Sequence, residues 1–246
     1  MKRIDHIVIR VDNLHEGVAE FEAAGFRVFY ARKSQRGNAL IYLQDNSMLE
    51  LVGTTPQWAR PLIRLRIPSL MHPFLHRIGQ YAFKESCLLD YPIYSPDIKA
   101  MYERVQDSST KLLSAKREKP NGTVVGFTLF GPKDLNLPFV MSAYTPEKMS
   151  DDETNIHPNG INNLHAVDVT YVEDTETFKE QLIAYYQIDR HLIRTYENSF
   201  SIQTENARIN YTQSDQHKIT AISLKPRNVM VEAKLKQYGL STTDDL

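Results

Sequence analysis

The alternation of apolar and polar positions predicts one arrangement of elements near the start of the chain. Ile4–Val11 is rich in β-branched residues and predicts a strand. Asp12-Asn13 offers N-caps for an amphipathic helix, which ends at Gly25, where a left-handed residue is favoured. Three more strands are predicted over Phe26–Ala31, Ala39–Leu43 and Met48–Val52. Residues 1–56 thus form a strand, helix, strand, strand, strand module.

The same order recurs in a second copy over residues 85–146. Leu88–Tyr94 predicts a strand, and Ser95-Pro96-Asp97 is typical of a helix start. Three strands are predicted after this helix, over Lys111–Ala115, Thr123–Phe130 and Phe139–Ala143.

A third copy follows a hinge-like stretch at residues 149–163. Leu164–Val172 predicts a strand, and Asp174-Thr175 is expected to cap a helix. Further strands are predicted over His191–Tyr196, Phe200–Thr204, Ala207–Thr212 and Ile219–Leu224, with a C-terminal helix over Val229–Tyr238.

Repetition at this scale indicates that one supersecondary unit has been reused. A single βαβββ module has one apolar sheet face that it cannot bury alone, and two modules side by side curl into a half-open barrel with a concave pocket. We therefore expect an α+β fold with paired modules at residues 1–146. A third related module and the C-terminal helix occupy residues 157–246 and pack on the pair or on a second chain, which predicts a homodimer.

Composition and charge narrow the functional classes. With 41% hydrophobic residues the chain can bury a sizeable core, and 29 basic against 30 acidic residues leave it nearly neutral. No strong field therefore recruits nucleic acid or anionic lipid, and neither is expected as a partner. The single cysteine, Cys87, excludes an intramolecular disulfide and fits a reducing compartment. No apolar run reaches about 18 residues, so we expect a cytoplasmic globular protein.

One segment carries a local concentration of charge. Arg60, Arg64 and Arg66 lie close together, but apolar residues are interspersed among them. A half-buried connector is favoured over a nucleic-acid contact.

Two stretches carry a resemblance to a known family. Asp5–Leu14 with its helix and Ala24-Gly25-Phe26, followed by Met48–Val52, resembles the vicinal-oxygen-chelate superfamily, most closely its glyoxalase-like domain proteins. The stretch His157–Ile161, followed by Val167–Thr170, resembles a recurring part of the same group. In this superfamily paired modules cup a divalent metal that a substrate with two adjacent oxygens chelates. The resemblance implies a lyase, isomerase or dioxygenase, or a relative that only sequesters drugs.

Carried over residue by residue, the resemblance implies a metal site. His6 falls on the first-strand ligand position and Glu50 on the fourth-strand position, a pair that suits zinc, nickel, iron or manganese. Alignment of the second module places Asp90 opposite His6 as a third ligand, whereas Val140–Ser142 offers no strong ligand at the fourth position. Proton transfer would then fall to a metal-bound water or to Glu50 released from the ion, which makes Glu50 the candidate catalytic residue.

Each of these residues has a structural alternative. His6 could be a strand histidine bonded to a neighbouring carboxylate, and the metal could have been lost. Glu50 lies between two leucines, so period-two alternation turns it to the opposite face, where its carboxylate needs a partner or an ion. Six residues are proposed to line the pocket: Tyr91, Tyr94, Phe127, Phe139, Tyr144 and His157. The alternative is core packing for the five aromatic residues and a tight turn for His157.

The sequence therefore predicts a metal-dependent glyoxalase-like enzyme acting on a small oxygenated substrate. The alternative is a non-catalytic protein that binds an aromatic small molecule in the same concavity.

Overall fold

Three mixed sheets form the protein in the computed structural model, which describes residues 3–84, 87–146, 148–149 and 151–244. The α+β class and the three related modules are confirmed. The expected outer bounds of the modules at residues 1, 85 and 246 lie outside the described residues.

The first module follows the predicted order, except that its first strand is divided in two. The cause is a change of sheet, because Ile4 pairs with Ile93 of the second module while Val8 pairs with Glu50 of the first. The chain passes between the two sheets at Asp5 and His6. The elements are β1 (Arg3–Ile4), β2 (Ile7–Val11), α1 (Leu14–Ala23), β3 (Phe29–Tyr30), β4 (Asn38–Tyr42) and β5 (Met48–Gly53).

A helical connector leads into the second module, whose predicted first strand is also divided. Pro92 lacks the N–H that a continuous ladder needs, and the strand changes sheet there. Its first half joins β2 through Val8 and Asp90, and its second half joins β1. The elements are α2 (Arg60–Arg64), α3 (Ile67–Met71), α4 (Phe74–Gln80), β6 (Leu88–Asp90), β7 (Ile93–Tyr94), α5 (Ile98–Val105), β8 (Leu113–Glu118), β9 (Val124–Phe130) and β10 (Val140–Met141).

The third module keeps its strands in one sheet. Its last strand, Leu240–Thr242, follows the predicted C-terminal helix and pairs in parallel with the strand before that helix. The elements are β11 (Asn163–Tyr171), α6 (Thr175–Tyr186), β12 (Ile193–Thr195), β13 (Ser199–Gln203), β14 (Arg208–Gln213), β15 (Lys218–Lys225), α7 (Val229–Leu235) and β16 (Leu240–Thr242).

The modules exchange strands and share one core. The sheet orders are β3-β4-β5-β2-β6, β1-β7-β10-β9-β8 and β12-β13-β14-β11-β15-β16, and none of them closes into a barrel within the described residues. A single apolar cluster includes Phe21 of the first module, Phe130 of the second and Tyr171 of the third. The first two sheets face each other across a smaller interior, where His6 meets the edge of the Phe139 ring.

Candidate functional site

His6 and Glu50 meet where the chain crosses between the two sheets. Val8 and Glu50 are paired neighbours in the first sheet, and His6 lies two residues before Val8, so the alternation brings both side chains to the interior face. His6 Nε2 lies 3.0 Å from Glu50 Oε2. The imidazole is buried, whereas 18% of the Glu50 side chain is exposed. The carboxylate is therefore the accessible member of the pair.

A chain of alternating charges lies behind His6. His6 Nδ1 is 2.9 Å from Asp5 Oδ2, and the other oxygen of Asp5 is 3.0 Å from Lys148 Nζ. Burial alone would lower the pKa of His6, but hydrogen bonds to Asp5 and Glu50 outweigh it and raise the pKa to about 9. The imidazole is then protonated at neutral pH, and both of its ring nitrogens donate.

The same contact sets the charge of Glu50. Burial would raise the pKa of its carboxyl, but the hydrogen bond from His6 and the positive charge of His6 hold that pKa below its usual value. Asn38 Nδ2 donates to the other carboxylate oxygen. Glu50 is therefore ionised at neutral pH and held at both oxygens.

Glu50 opens onto a cavity of about 340 Å³ between the first sheet and α4. Val8, Leu89 and Phe139 form apolar parts of its wall. Arg10 and Arg32 bring two positive charges to the same cavity. A small molecule with an apolar body and anionic oxygens matches this lining.

Arg117 is a site residue that sequence reasoning missed. It lies on β8 on the same face as Leu113 and Ala115, and only 7% of it is exposed. Among the residues that the structure describes, its Nε and Nη2 find no hydrogen-bond partner, and its guanidinium lies 5.1 Å from the centre of the Tyr144 ring. Its charge also lowers the pKa of Glu50. The signal was an arginine at an inward position of a strand, but the predicted strand ended at Ala115.

The structure does not bring Asp90 into a ligand set with His6 and Glu50. Asp90 Oδ2 lies 2.8 Å from Arg77 Nε and accepts a 2.8 Å hydrogen bond from the Tyr81 hydroxyl. Arg77 Nη2 donates to the carbonyl oxygen of Leu137. The carboxylate that was expected to hold a metal is instead neutralised by a buried arginine.

The donor set does not fit a divalent metal. Catalytic zinc sites use three protein ligands, and among the described residues no three His, Cys, Asp or Glu side chains are grouped to hold an ion. His6 and Glu50 satisfy each other, and Asp90 is paired with Arg77.

Of the predicted pocket residues, Phe139 lines the Glu50 cavity. Tyr144 and Phe127 lie in the same interior, with ring centres 5.2 Å apart. Tyr91 is buried against the third module, where its hydroxyl lies 3.0 Å from that of Tyr211. Tyr94 lines a separate cavity of about 410 Å³ between the second and third modules.

His157 holds the first module together from outside the cavity. Its Nδ1 accepts a 3.1 Å hydrogen bond from the backbone N–H of Arg27, and its Nε2 donates to the carbonyl oxygen of Tyr42 at 2.9 Å. Its ring meets the edge of Phe26. Burial lowers the pKa of His157, so the neutral ring keeps one donor and one acceptor. His157 therefore has a structural role, because its ring joins two backbone segments of the first module.

Comparison with known proteins places this geometry in context. A family model described as a glyoxalase-like domain matches residues 4–185. No curated protein matches the chain.

Solved structures of similar fold span nearly the whole chain. A hypothetical protein from Staphylococcus aureus has a TM-score of 0.69 at 15% identity, covering 92% of this chain and 91% of that one. BphC, a halotolerant catechol dioxygenase, has a TM-score of 0.53 at 7% identity, covering 96% and 74%. An extradiol ring-cleaving dioxygenase from B. fuscum has a TM-score of 0.55 at 8% identity, covering 96% and 61%. At these identities the likeness is one of fold.

Proposed function

The chain belongs to the glyoxalase-like domain family, and on that basis we propose that it is a lyase or isomerase that moves a proton on a small oxygenated anion. The observation that carries the proposal is the Glu50 carboxylate, which lines the cavity and is supported from behind by His6, Asp5 and Lys148. Among the reaction classes that the family resemblance implies, proton transfer is the one that these residues support directly.

Glu50 is the proposed base. The protonated His6 keeps it ionised, and hydrogen bonds from His6 and Asn38 fix its orientation. Each carboxylate oxygen accepts one of these bonds and retains a lone pair, which can take a proton from a carbon next to a carbonyl.

The lowered pKa of Glu50 makes it a weaker base, so the developing negative charge on the substrate needs stabilisation. Arg10 and Arg32 line the same cavity, and Arg117 supplies buried positive charge near Glu50. These arginines also favour substrates that carry a carboxylate.

The test follows exchange of carbon-bound hydrogen for deuterium by proton NMR. The substrates are small dicarbonyl and hydroxycarbonyl compounds, each with and without a carboxylate. Glu50→Gln should slow exchange by about 100-fold or more, which is typical of a lost general base. Glu118→Gln, a change at an exposed carboxylate on β8, should leave the rate unchanged. Full exchange by Glu50→Gln would refute the role of Glu50.

The metal content of the purified protein tests whether the proposed reaction proceeds without a metal. The purified protein should hold no stoichiometric zinc, nickel, manganese or iron, because His6, Glu50 and Asp90 form no common ligand set. Metal bound one to one in the wild type and lost in both His6→Ala and Glu50→Ala would overturn the metal-free assignment and restore the metal-dependent reaction.

A second candidate is a binding protein without catalysis. It is favoured because His6 and Glu50 already have hydrogen-bond partners within the protein, Asp5 for His6 and Asn38 for Glu50. The apolar wall of the cavity also favours it. Calorimetric binding of an aromatic carboxylate without exchange or turnover, with equal affinity in Glu50→Gln, would select this candidate over the enzyme.

A further inference from the structure

The connector between the first two modules exposes a row of large apolar side chains. We call Trp58, Leu62, Leu65, Leu70 and Met71 the connector surface. Trp58 is 74% exposed, Leu65 73%, Leu70 85% and Met71 84%. The sequence predicts a half-buried segment here, and the structure instead turns these side chains outward. Contiguous exposed apolar residues mark an interaction site.

The outward orientation follows from how little of the connector packs inward. Ile63 is the buried residue of α2, and a Cβ on Gly79 of α4 would come within 2.7 Å of it. This close contact fixes α2 against α4. α3 is a separate short helix because Arg66 before it adopts a left-handed conformation with φ of 56°. With one inward anchor and a break between short helices, the five side chains of the connector surface stay exposed in the part of the chain that the structure describes.

The charge of the segment is one-sided. Residues 57–71 contain Arg60, Arg64 and Arg66 and no acidic residue, although the whole chain has a net charge of −1. Arg64 and Arg66 are exposed. The connector surface is therefore locally cationic and apolar, although the net charge of the whole chain is close to zero.

This charge also argues against a second copy of the chain as the partner. In a two-fold dimer the same patch meets itself, so the arginines of both copies would face each other, and residues 57–71 bring no acidic residue to this contact. A negatively charged surface with an apolar layer just beneath it complements both features. An anionic lipid bilayer has this structure.

We propose that the connector surface binds the interface of an anionic lipid bilayer. Trp58, Leu65, Leu70 and Met71 enter the boundary between headgroups and acyl chains, and the arginines contact the anionic headgroups. The attachment is peripheral: within the described ranges no helix is both long and apolar enough to cross a membrane. The proposal is independent of the catalytic role of Glu50.

The connector also contributes residues to the Glu50 cavity. Thr55 lies just before the connector surface along the chain and Ile78 lies on α4, and both line the Glu50 cavity. The connector that carries the proposed membrane contact therefore also contributes to the wall of this cavity.

Trp58 makes the proposal directly measurable, because it is the only tryptophan. The full-length protein is mixed with vesicles of phosphatidylcholine alone or of phosphatidylcholine with phosphatidylglycerol. With the anionic vesicles we expect a blue shift of tryptophan emission and co-sedimentation, both weakened by salt. The neutral vesicles should give neither.

Substitutions separate the connector surface from other exposed apolar residues. Leu70→Ser with Met71→Ser should abolish the shift, and Arg64→Gln and Arg66→Gln should each weaken binding about fivefold. The matched control is Val229→Ser with Met230→Ser on α7, whose residues are 65% and 48% exposed. It should bind like the wild type. Circular dichroism verifies that each variant is folded.

Three results would overturn the proposal. The first is equal emission with anionic and neutral vesicles. The second is loss of binding in the α7 control as well. The third is a dimer that does not bind vesicles and that dissociates when Leu70 and Met71 are replaced, which would identify a second copy as the partner.

Discussion

At the scale of single residues, the interior between the first two sheets is organised by compensated charge. Arg77 pairs with Asp90, Lys119 with Glu153, and Lys148 continues through Asp5 to His6 and Glu50. A buried charge without a partner costs several kcal/mol, so these groups are explained by one another. Arg117 differs from these groups, since within the described part of the chain two of its nitrogens have no hydrogen-bond partner. Its charge lowers the pKa of Glu50.

The Arg77–Asp90 pair tests whether buried charges in this interior depend on their partners. Arg77→Met leaves the carboxylate of Asp90 buried without its cation and should lower the free energy of unfolding by about 3–5 kcal/mol. Arg190→Met breaks an exposed pair with Glu180, whose two contacts are both 2.7 Å, and should change the free energy of unfolding far less, because water screens both charges. Urea denaturation measures both, and equal losses would contradict the argument.

At the scale of elements, the reciprocal exchange of strands creates the site. β1 leaves the first module to join β7, and β6 leaves the second module to join β2. Because Asp5 and His6 lie in the crossing itself, neither belongs to a strand. This places the imidazole between the sheets.

Close packing of α1 on β2 holds the strand that follows this crossing. A Cβ added at Gly17 would lie 2.7 Å from side-chain atoms of Val11. Gly17→Ala should therefore lower the free energy of unfolding by about 1–3 kcal/mol, although alanine favours a helix by about 1 kcal/mol. At Gly126 the nearest atom would be 3.7 Å away, and Gly126→Ala should be nearly neutral. Thermal unfolding of both variants tests the difference, and a stabilised Gly17→Ala would disprove the close contact.

At the scale of the whole molecule, the third module is joined to the pair by polar contacts as well as by the shared core. Asn206 accepts a hydrogen bond from the backbone N–H of Ile4 at 3.0 Å and donates to the carbonyl oxygen of Ile4 at 2.9 Å. The Tyr91 and Tyr211 hydroxyls meet between modules. The apolar cluster is continuous through all three modules.

A continuous core predicts cooperative unfolding. Differential scanning calorimetry of the full chain should show one transition, with a calorimetric enthalpy equal to the van't Hoff enthalpy. Two transitions, one of them shifted by Asn206→Ala and the other unchanged, would show that residues 157–246 unfold separately from residues 1–146.

The sequence by itself determined the elements whose signals are local. The caps at Asn13 and Asp174 begin α1 and α6 where predicted, because a cap acts on the next few backbone N–H groups. The three-module α+β fold follows from periodicity repeated along the chain. His6 and Glu50 could be singled out because strand alternation and the family resemblance locate them within one module.

Only the tertiary structure decided which distant groups meet. Contacts between different modules divide β1 from β2 and pair Asp90 with Arg77. Contacts of the same kind, or between helix and sheet, determine the inward position of Arg117 and the exposure of the connector surface. A local pattern of apolar and polar residues determines which face of an element is buried. It carries no information on which charge lies opposite that face or on whether a partner covers it.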